Sequence, residues 1–258
     1  MTSAPPKGSI RLYSYAMSPY AAKVHCFLLY KQLEFECFYV NPLRARRELP
    51  VGRQVPVLSV GDESRADSTP IGLWLDDLFP DSKRLLPDAP GEREHLLALD
   101  DWVTSRLIPG CFRSYPGEGV DRFVNGWNLS RVMANTAHSG LPWPMRLAWP
   151  LVITRVAFVN RLIAEANDGL PARESKWKLY EEFLARLEGG PFLGGREAPS
   201  LPDLAAYPQF ALYHAHGFRR GDDILREPDL VAWLTRMRPH LRGEPPLVPP
   251  RLERRALP

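Results

Sequence analysis

A proline interrupts the run Gln54-Val55-Pro56-Val57-Leu58, whose other residues favour a buried strand. Proline has no amide hydrogen for a sheet ladder, so its position inside a strand requires a local explanation. One explanation is a cis peptide bond before Pro56, which turns neighbouring backbone groups outward to a ligand. The alternative is an edge strand with a trans proline, and the sequence alone leaves both open.

A polar pair follows in the motif Asp67-Ser68-Thr69-Pro70-Ile71, where Asp67 comes nine residues after Leu58. The pattern predicts a turn and then a helix, whose first amides and dipole favour an anion. The two motifs together predict a peptide-like small ligand that carries a carboxylate. A simple cap for the helix over 71–79 explains the same pair without a ligand.

Composition places the chain among globular proteins of one large or two modest domains. Its 258 residues are 45% hydrophobic and 24% charged, and the net charge of +3 indicates no nucleic-acid partner. Residues 1–9 lack the apolar core of a signal peptide, and prolines and arginines interrupt the apolar stretch 141–163 too often for a membrane span. Three cysteines without metal-like spacing favour a reducing, cytoplasmic compartment, namely Cys26, Cys37 and Cys111.

The periodicity predicts two unlike halves. Residues 10 to about 80 have the order β-α-β-loop-β-β-α, and the first helix is opened by Ser18-Pro19. Its strands are predicted at 10–13, 35–40, 55–60 and from Arg65 after a turn at Gly61-Asp62. Residues 80–91 are rich in proline and aspartate and predict a linker.

The second half shows only helical patterns. One helix is predicted over 96–107 and ends near Pro109-Gly110; others cover 177–187, 204–216 and 230–237. Ser200 and Asp203 form a predicted capping box. Region 111–150 stays unassigned, and the tail from Gly243 is predicted to be extended or disordered. The expected fold is a small α/β domain followed by an all-α domain.

This layout resembles the cytosolic glutathione S-transferase superfamily. The residues that carry the resemblance are Ser18-Pro19-Tyr20, Gln54 to Leu58, Asp67 to Ile71, and Ser200-Leu201-Pro202-Asp203. It implies a thioredoxin-like, glutathione-binding domain over 1–84, an all-helical domain over 92–242, and a Pro/Arg-rich tail over 243–258. Residues 111–165 match no part of the family pattern.

The resemblance gives Ser18 the catalytic role. A serine hydroxyl at a helix N-terminus donates to the glutathione thiolate, while the helix amides lower the pKa of the thiol. Serine instead of cysteine at this position favours conjugation over thiol–disulfide exchange. Ser18 as a simple N-cap is the alternative, and Tyr13, Tyr15 and Tyr20 are rivals for the hydroxyl role.

The same resemblance implies a glutathione site and a second pocket. The backbone of Val55 and Pro56 would pair with the cysteinyl unit, Asp67 and Ser68 would hold the γ-glutamyl end, and Arg53 and Gln54 the glycyl carboxylate. With Tyr20, the implied glutathione-binding residues are Tyr20, Arg53, Gln54, Val55, Pro56, Asp67 and Ser68. The second-substrate pocket is predicted between the domains, although ordinary helical core is the preferred explanation for each of its residues, namely Trp102, Arg106, Phe112 and Tyr115.

The leading hypothesis is a cytoplasmic, homodimeric glutathione transferase of the detoxification type that conjugates glutathione to an apolar electrophile. Glutathione is the co-substrate, and no metal, nucleic acid or membrane span is expected. A glutathione-dependent peroxidase, reductase or isomerase is one alternative, and a non-catalytic binding or scaffold protein is another. The segment Trp143–Trp149 is open to three interpretations: a lid, a dimer contact or a membrane-surface patch.

Overall fold

A computed structural model describes residues 8–114, 119–138, 142–152, 157–219 and 224–256. Its first domain is a four-stranded sheet of order β2-β1-β3-β4, in which β1 and β2 are parallel and the other pairs antiparallel. The strands are β1 (Ile10–Ser14), β2 (Glu36–Tyr39), β3 (Val57–Val60) and β4 (Glu63–Ala66), and the helices are α1 (Pro19–Lys31), α2 (Ala45–Glu48) and α3 (Ser68–Leu78). This thioredoxin-like arrangement confirms the predicted α/β domain.

The third strand begins two residues later than predicted, at Val57. Pro56 therefore precedes the ladder and takes no donor from it, which is where a proline fits a sheet. The Val55–Pro56 peptide bond is cis, the first of the two explanations considered for this proline. The predicted return strand was also misplaced: β4 follows the Gly61-Asp62 turn directly and ends at Ala66.

Helix α1 is buried on nearly all sides. It begins at the Ser18 cap and packs on β1, on α3 and on a helix of the second domain. A helix enclosed in this way joins two domains into one core. That core runs through both domains and includes Phe27, Ile71, Leu201 and Trp233.

The second domain is helical in its described residues. Its helices are α4 (Pro90–Trp102), α5 (Ile108–Ser114), α6 (Gly119–Thr136), α7 (Trp143–Val152), α8 (Ala157–Glu165), α9 (Ala172–Ala185), α10 (Leu201–Ala215) and α11 (Pro228–Met237). In its described residues, the unassigned region 111–150 thus forms helices. Ser200 and Asp203 form the predicted capping box of α10, and Asp203 Oδ2 accepts from the Ser200 amide at 3.0 Å.

The predicted helix end near Pro109-Gly110 is wrong. A π-helical turn (Val103–Leu107) joins α4 to α5, and the Ile108 amide donates to the Val103 carbonyl. Because Pro109 has no amide hydrogen, it cannot donate to the Thr104 carbonyl in this turn. That carbonyl accepts from the Tyr20 hydroxyl at 3.5 Å instead. Gly110 lies against Leu179 so closely that any β-carbon would collide with it. Pro109 and Gly110 therefore fit a continuous helix because of their contacts with distant residues.

In its described residues, 243–256, the Pro/Arg-rich tail is packed on the protein and contains a short 3₁₀ helix at Pro250–Leu252. Pro245 O lies 2.8 Å from His25 Nε2, and the Arg254 amide donates to Ala215 O at 2.6 Å. Leu252 is only 2% exposed. None of the described helices has both the length and the hydropathy needed to cross a bilayer.

Candidate glutathione site

The strand register brings three predicted motifs to the same end of the sheet. Val57 pairs with Tyr13 on one side and with Ala66 on the other. The end of β1, the start of β3 and the end of β4 therefore meet there. Since α1 follows β1 and α3 follows β4, both helices begin at this same end of the sheet, next to Pro56.

Ser18 is the N-cap of α1, with φ −74° and ψ 117°. Its Oγ accepts from the Ala21 amide at 3.3 Å. A hydroxyl has one hydrogen besides its lone pairs, and this bond does not use that hydrogen. The Ser18 side chain can therefore cap the helix and donate to an anion at the same time, at the positive end of the helix dipole.

Asp67 caps α3 in an unfavourable backbone conformation. Its φ of 74° and ψ of 135° lie in a region that residues with a β-carbon rarely adopt. The carboxylate accepts from the Ser68 amide at 2.7 Å, and the Asp67 amide donates to Pro56 O at 3.4 Å. This geometry links the two motifs directly, and backbone strain of this kind is concentrated at functional sites.

Ser68 is completely buried, and its Oγ has no hydrogen-bond partner among the described residues. A buried polar atom without a partner is costly, so it calls for a group that the protein itself does not supply. Ser68 is the first residue of α3, where helix amides favour a negative charge. The site is thus suited to a carboxylate.

Of the remaining residues predicted to bind glutathione, Arg53 and Gln54 are exposed in the loop before Pro56. Val55 is half-buried. Within the described part of the chain, neither its amide nor its carbonyl has a backbone partner. The segment therefore offers a bare stretch of main chain beside the two helix N-termini.

Comparison with known proteins agrees with this arrangement. Residues 12–83 match the family model of the glutathione S-transferase N-terminal domain, a span that contains Ser18, Pro56 and Ser68. The whole chain has the fold of solved transferases such as human glutathione transferase theta-2 (TM-score 0.59, 18% identity, 92% of this chain and 84% of that one).

The chain therefore has the glutathione S-transferase fold, with an N-terminal domain that matches this family.

Further similar proteins are equally distant in sequence. The beta-etherase LigF from Sphingobium shares the fold with TM-score 0.57 and 23% identity, over 90% of this chain and 97% of that one. Rice GST1, solved with glutathione, has TM-score 0.55 and 20% identity, over 92% of each chain. Among curated proteins, prostaglandin E synthase 2 of Danio rerio is 20% identical over 274 residues, which cover 88% of this chain and 70% of that protein.

Two residues predicted for the second-substrate pocket make contacts within the second domain. Trp102 Nε1 donates to Glu182 Oε2 at 3.1 Å, and Arg106 forms ion pairs with Glu182 and Asp168 at 3.4 Å. These partners belong to α9 and the loop before it. Such contacts are typical of ordinary helical packing, the alternative considered for both residues.

The other two predictions for that pocket have different outcomes. Phe112 is 8% exposed and belongs to the core that runs through both domains. Tyr115 lies outside the described residues. The second-substrate pocket over these four residues therefore stays a prediction.

An apolar cluster that sequence reasoning missed does lie beside the glutathione S-transferase motifs. Met17, the residue before Ser18, packs with residues of α6, α7 and α10. The other members are Leu129, Met133, Met145, Tyr213 and Phe218. Methionine side chains are flexible and polarisable, and they can pack against apolar groups of different shapes. The adjacency to Ser18 depends on the fold, because these residues are far apart in the sequence.

A buried ion pair was also missed. Lys23 Nζ lies 2.7 Å from Asp100 Oδ1 and donates to Thr69 Oγ1 at 2.8 Å and Thr104 Oγ1 at 3.1 Å. Burial lowers the pKa of the Lys23 ammonium, and Asp100 opposes this shift. The network ties α1, α3 and α4 together immediately behind Ser68. Its signal in the sequence was a charged residue on the apolar face of a helix, since Asp100 lies between Leu96 and Val103.

The tyrosines near Ser18 are less suited than Ser18 to holding a thiolate. The Tyr20 hydroxyl donates to Thr104 O, and burial raises its pKa to about 12. Tyr13 lies in β1, and Tyr15 packs in a small cluster with Val55 and Val57. Burial also raises the pKa of Tyr15. Within the described ranges, no group of three or more His, Cys, Asp or Glu side chains is placed to hold a metal.

Proposed function

We propose that this chain is a glutathione transferase that conjugates the glutathione sulfur to an apolar electrophile. Glutathione would bind at the end of the sheet where α1 and α3 begin. Ser18 would hold its thiolate, and Ser68 with Asp67 its γ-glutamyl end. The main chain of Val55 and Pro56 would pair with the cysteinyl unit, and Arg53 and Gln54 would stand at the glycyl carboxylate.

The observation that carries this proposal is the buried Ser68 hydroxyl, which has no partner among the described residues and lies at the same end of the sheet as the Ser18 cap. Each serine lies at a helix N-terminus, where partial positive charge favours an anion. Glutathione is an anion at both places: a carboxylate at one end and a thiolate in the middle. Rice GST1 and human theta-2, which share this fold, were solved with glutathione.

The chemistry assigned to the protein is electrostatic. The Ser18 hydroxyl donates to sulfur and stabilises the thiolate over the thiol, so more of the nucleophile is present at neutral pH. The sulfur then forms the new bond to carbon, and the electrophile loses its leaving group or takes up a proton. The cluster around Met17 and Met133 is the proposed pocket for the apolar electrophile, in place of Trp102 and Arg106.

Four versions of residue 18 separate catalysis from helix capping. The measurements are retention on immobilised glutathione, conjugation rate with a general aromatic electrophile, and free energy of unfolding. Ser18→Ala loses cap and donor, Ser18→Thr keeps both, and Ser18→Asp keeps the cap without a donor. We expect the rate of both Ala and Asp variants to fall roughly 10- to 100-fold, the value of a hydrogen bond to a charged group, while Thr stays near wild type.

The stability of the same variants provides the control. Only Ser18→Ala should lose about 1 kcal/mol of unfolding free energy, because Asp and Thr are also good N-caps. An unchanged rate in Ser18→Ala and Ser18→Asp would overturn the role of Ser18. Absence of both retention and rate in the wild type would overturn the transferase proposal itself.

A second candidate uses the same site for a different reaction. The relative from Danio rerio is named prostaglandin E synthase 2 and matches 88% of this chain. Its name supports a glutathione-dependent isomerase or peroxidase that acts on a long apolar substrate, for which the methionine cluster is also suited. Turnover of a lipid peroxide without conjugation of any aromatic electrophile would favour this candidate.

Homodimeric assembly and a cytoplasmic, detoxifying role complete the proposal. The family resemblance supports the dimer, and three cysteines without metal-like spacing support a reducing compartment. Light scattering of the purified chain tests the assembly. A mass equal to one chain of 29.3 kDa at all concentrations would overturn the dimer.

A further inference from the structure

The helix pair α6–α7 carries apolar side chains on two opposite sides. Leu129, Met133 and Met145 face inward and pack in the cluster beside Met17. Five other large hydrophobic side chains face outward and are 53% to 70% exposed; we call them the outer face: Val120, Phe123, Trp127, Trp143 and Leu147. A helix that is apolar on both sides normally lies between two partners. The inner partner is the protein core.

The outer face is continuous. Val120, Phe123 and Trp127 follow the spacing i, i+3, i+7 and fall within an arc of about 60° on the α6 helix. Trp143 and Leu147 are one turn apart on α7, and α7 packs along α6. Among the described residues the structure has only two other exposed large hydrophobics, Leu43 and Val51. The exposure is therefore concentrated in one patch, which marks an interaction surface.

The charge of this segment indicates the sign of its partner. From α6 to α8, residues 119–165, the chain contains five arginines and only two acidic residues, Asp121 and Glu165, whereas its remainder has equal numbers of acidic and basic residues. The five are Arg122, Arg131, Arg146, Arg155 and Arg161. A partner that complements this segment is therefore negatively charged.

We infer that the outer face of α6–α7 docks on the surface of an anionic lipid bilayer. Tryptophan and phenylalanine side chains favour the interface between headgroups and acyl chains, and each arginine near an anionic surface adds attraction. A second copy of the same face is a poorer partner, because a two-fold contact would bring the two arginine-rich segments together. A helix pair of this length lies on a bilayer without crossing it.

The test is co-sedimentation of the full chain with phosphatidylcholine vesicles, with and without phosphatidylserine. We expect binding to vesicles that contain phosphatidylserine, and weaker binding at high salt because the charges are screened. The variant Phe123→Ser/Trp127→Ser/Trp143→Ser should bind at least about tenfold more weakly. Because these side chains are exposed, the variant should keep the wild-type unfolding transition and its retention on glutathione.

A matched control removes exposed hydrophobics elsewhere. Leu43→Ser/Val51→Ser should bind the vesicles as the wild type does. Wild-type protein that stays in the supernatant with phosphatidylserine vesicles would overturn the inference, as would equal sedimentation of the triple variant. A wild-type oligomer that dissociates only in the triple variant would assign the outer face to a second copy, and would also overturn it.

Discussion

The Lys23 ammonium lies 2.7 Å from Asp100 Oδ1, and both side chains are almost completely buried. The pair crosses the boundary between the two domains, since Lys23 is on α1 and Asp100 on α4. Thr69 and Thr104 complete its hydrogen bonds. Thr69 follows Ser68 in α3, so the network is anchored next to the proposed γ-glutamyl site.

Removal of one partner of this pair should destabilise the protein strongly. Lys23→Met or Asp100→Leu leaves a buried charge without compensation, and each should cost about 3–5 kcal/mol of unfolding free energy. The double variant should recover most of that loss, because neither charge remains. Denaturant titration measures all three. The exposed pair Arg11–Glu36 is the control, and Glu36→Gln should cost less than about 1 kcal/mol.

A second prediction separates binding from stability at Ser68. Ser68→Ala removes a buried hydroxyl without a described partner, so the free energy of unfolding should stay the same or rise. Affinity for glutathione should fall roughly 10- to 100-fold, the value of a hydrogen bond to a carboxylate. Calorimetry and denaturant titration measure the two quantities. Stability lost without any change in affinity would show that Ser68 is purely structural.

Variants of Asp67 should also separate glutathione affinity from stability, here because of the backbone conformation of this residue. Glycine tolerates its φ of 74° and is an acceptable cap, so Asp67→Gly should be neutral or stabilising, by up to about 1 kcal/mol. Asp67→Ala keeps the strain and loses the cap, so it should be destabilising. Both variants should bind glutathione more weakly than the wild type. Tight binding by Asp67→Gly would contradict the role proposed for the carboxylate.

Local motifs in the sequence predicted helix starts in both domains well. Ser18-Pro19 as a helix start and Ser200 with Asp203 as a capping box depend on residues within four positions of each other, and both predictions are confirmed. The partners of distant residues could not be predicted. Asp100 is 77 residues from Lys23, and its charge on an apolar face was the only sign of a partner.

The second domain was harder to predict for the same reason. The helix through Pro109 is continuous because the Tyr20 hydroxyl bonds to the Thr104 carbonyl, a contact over 84 residues. Periodicity placed Trp102 on an apolar side of α4 but did not say whether that side faces the first domain or α9. Met17 and Met133 have no local pattern in common, so only the folded chain brings them together.

The second-substrate pocket is tested by comparing Met133→Ala with Trp102→Phe. If the methionine cluster binds the apolar electrophile, Met133→Ala should raise the KM for that substrate several-fold, because apolar contact area is lost. The KM for glutathione should stay near wild type. Trp102→Phe loses a contact to Glu182 on α9 and should change neither KM. The opposite pattern would restore the pocket predicted from the sequence.

The final prediction concerns pH and the contact of His25 with the tail. Burial lowers the pKa of His25 to about 4, although the bond to Pro245 O opposes this shift. In the unfolded chain the pKa of a histidine is about 6.5. Below that value the unfolded state binds a proton that the folded state does not, so the stabilisation is complete above about pH 7 and is lost as the pH falls toward 4. Burial lowers the pKa of His216 to about 4 as well, with the same sign.

Each of these histidines should therefore remove about 2 kcal/mol of unfolding free energy between pH 7 and pH 5. His25→Gln keeps a donor for Pro245 O and does not titrate, so it should lose about half of the pH dependence of the wild type. His95, which is exposed, is the control, and His95→Gln should keep most of that dependence. Denaturant titrations at the two pH values measure the difference. Equal pH dependence in wild type and His25→Gln would show that His25 is protonated in the folded protein.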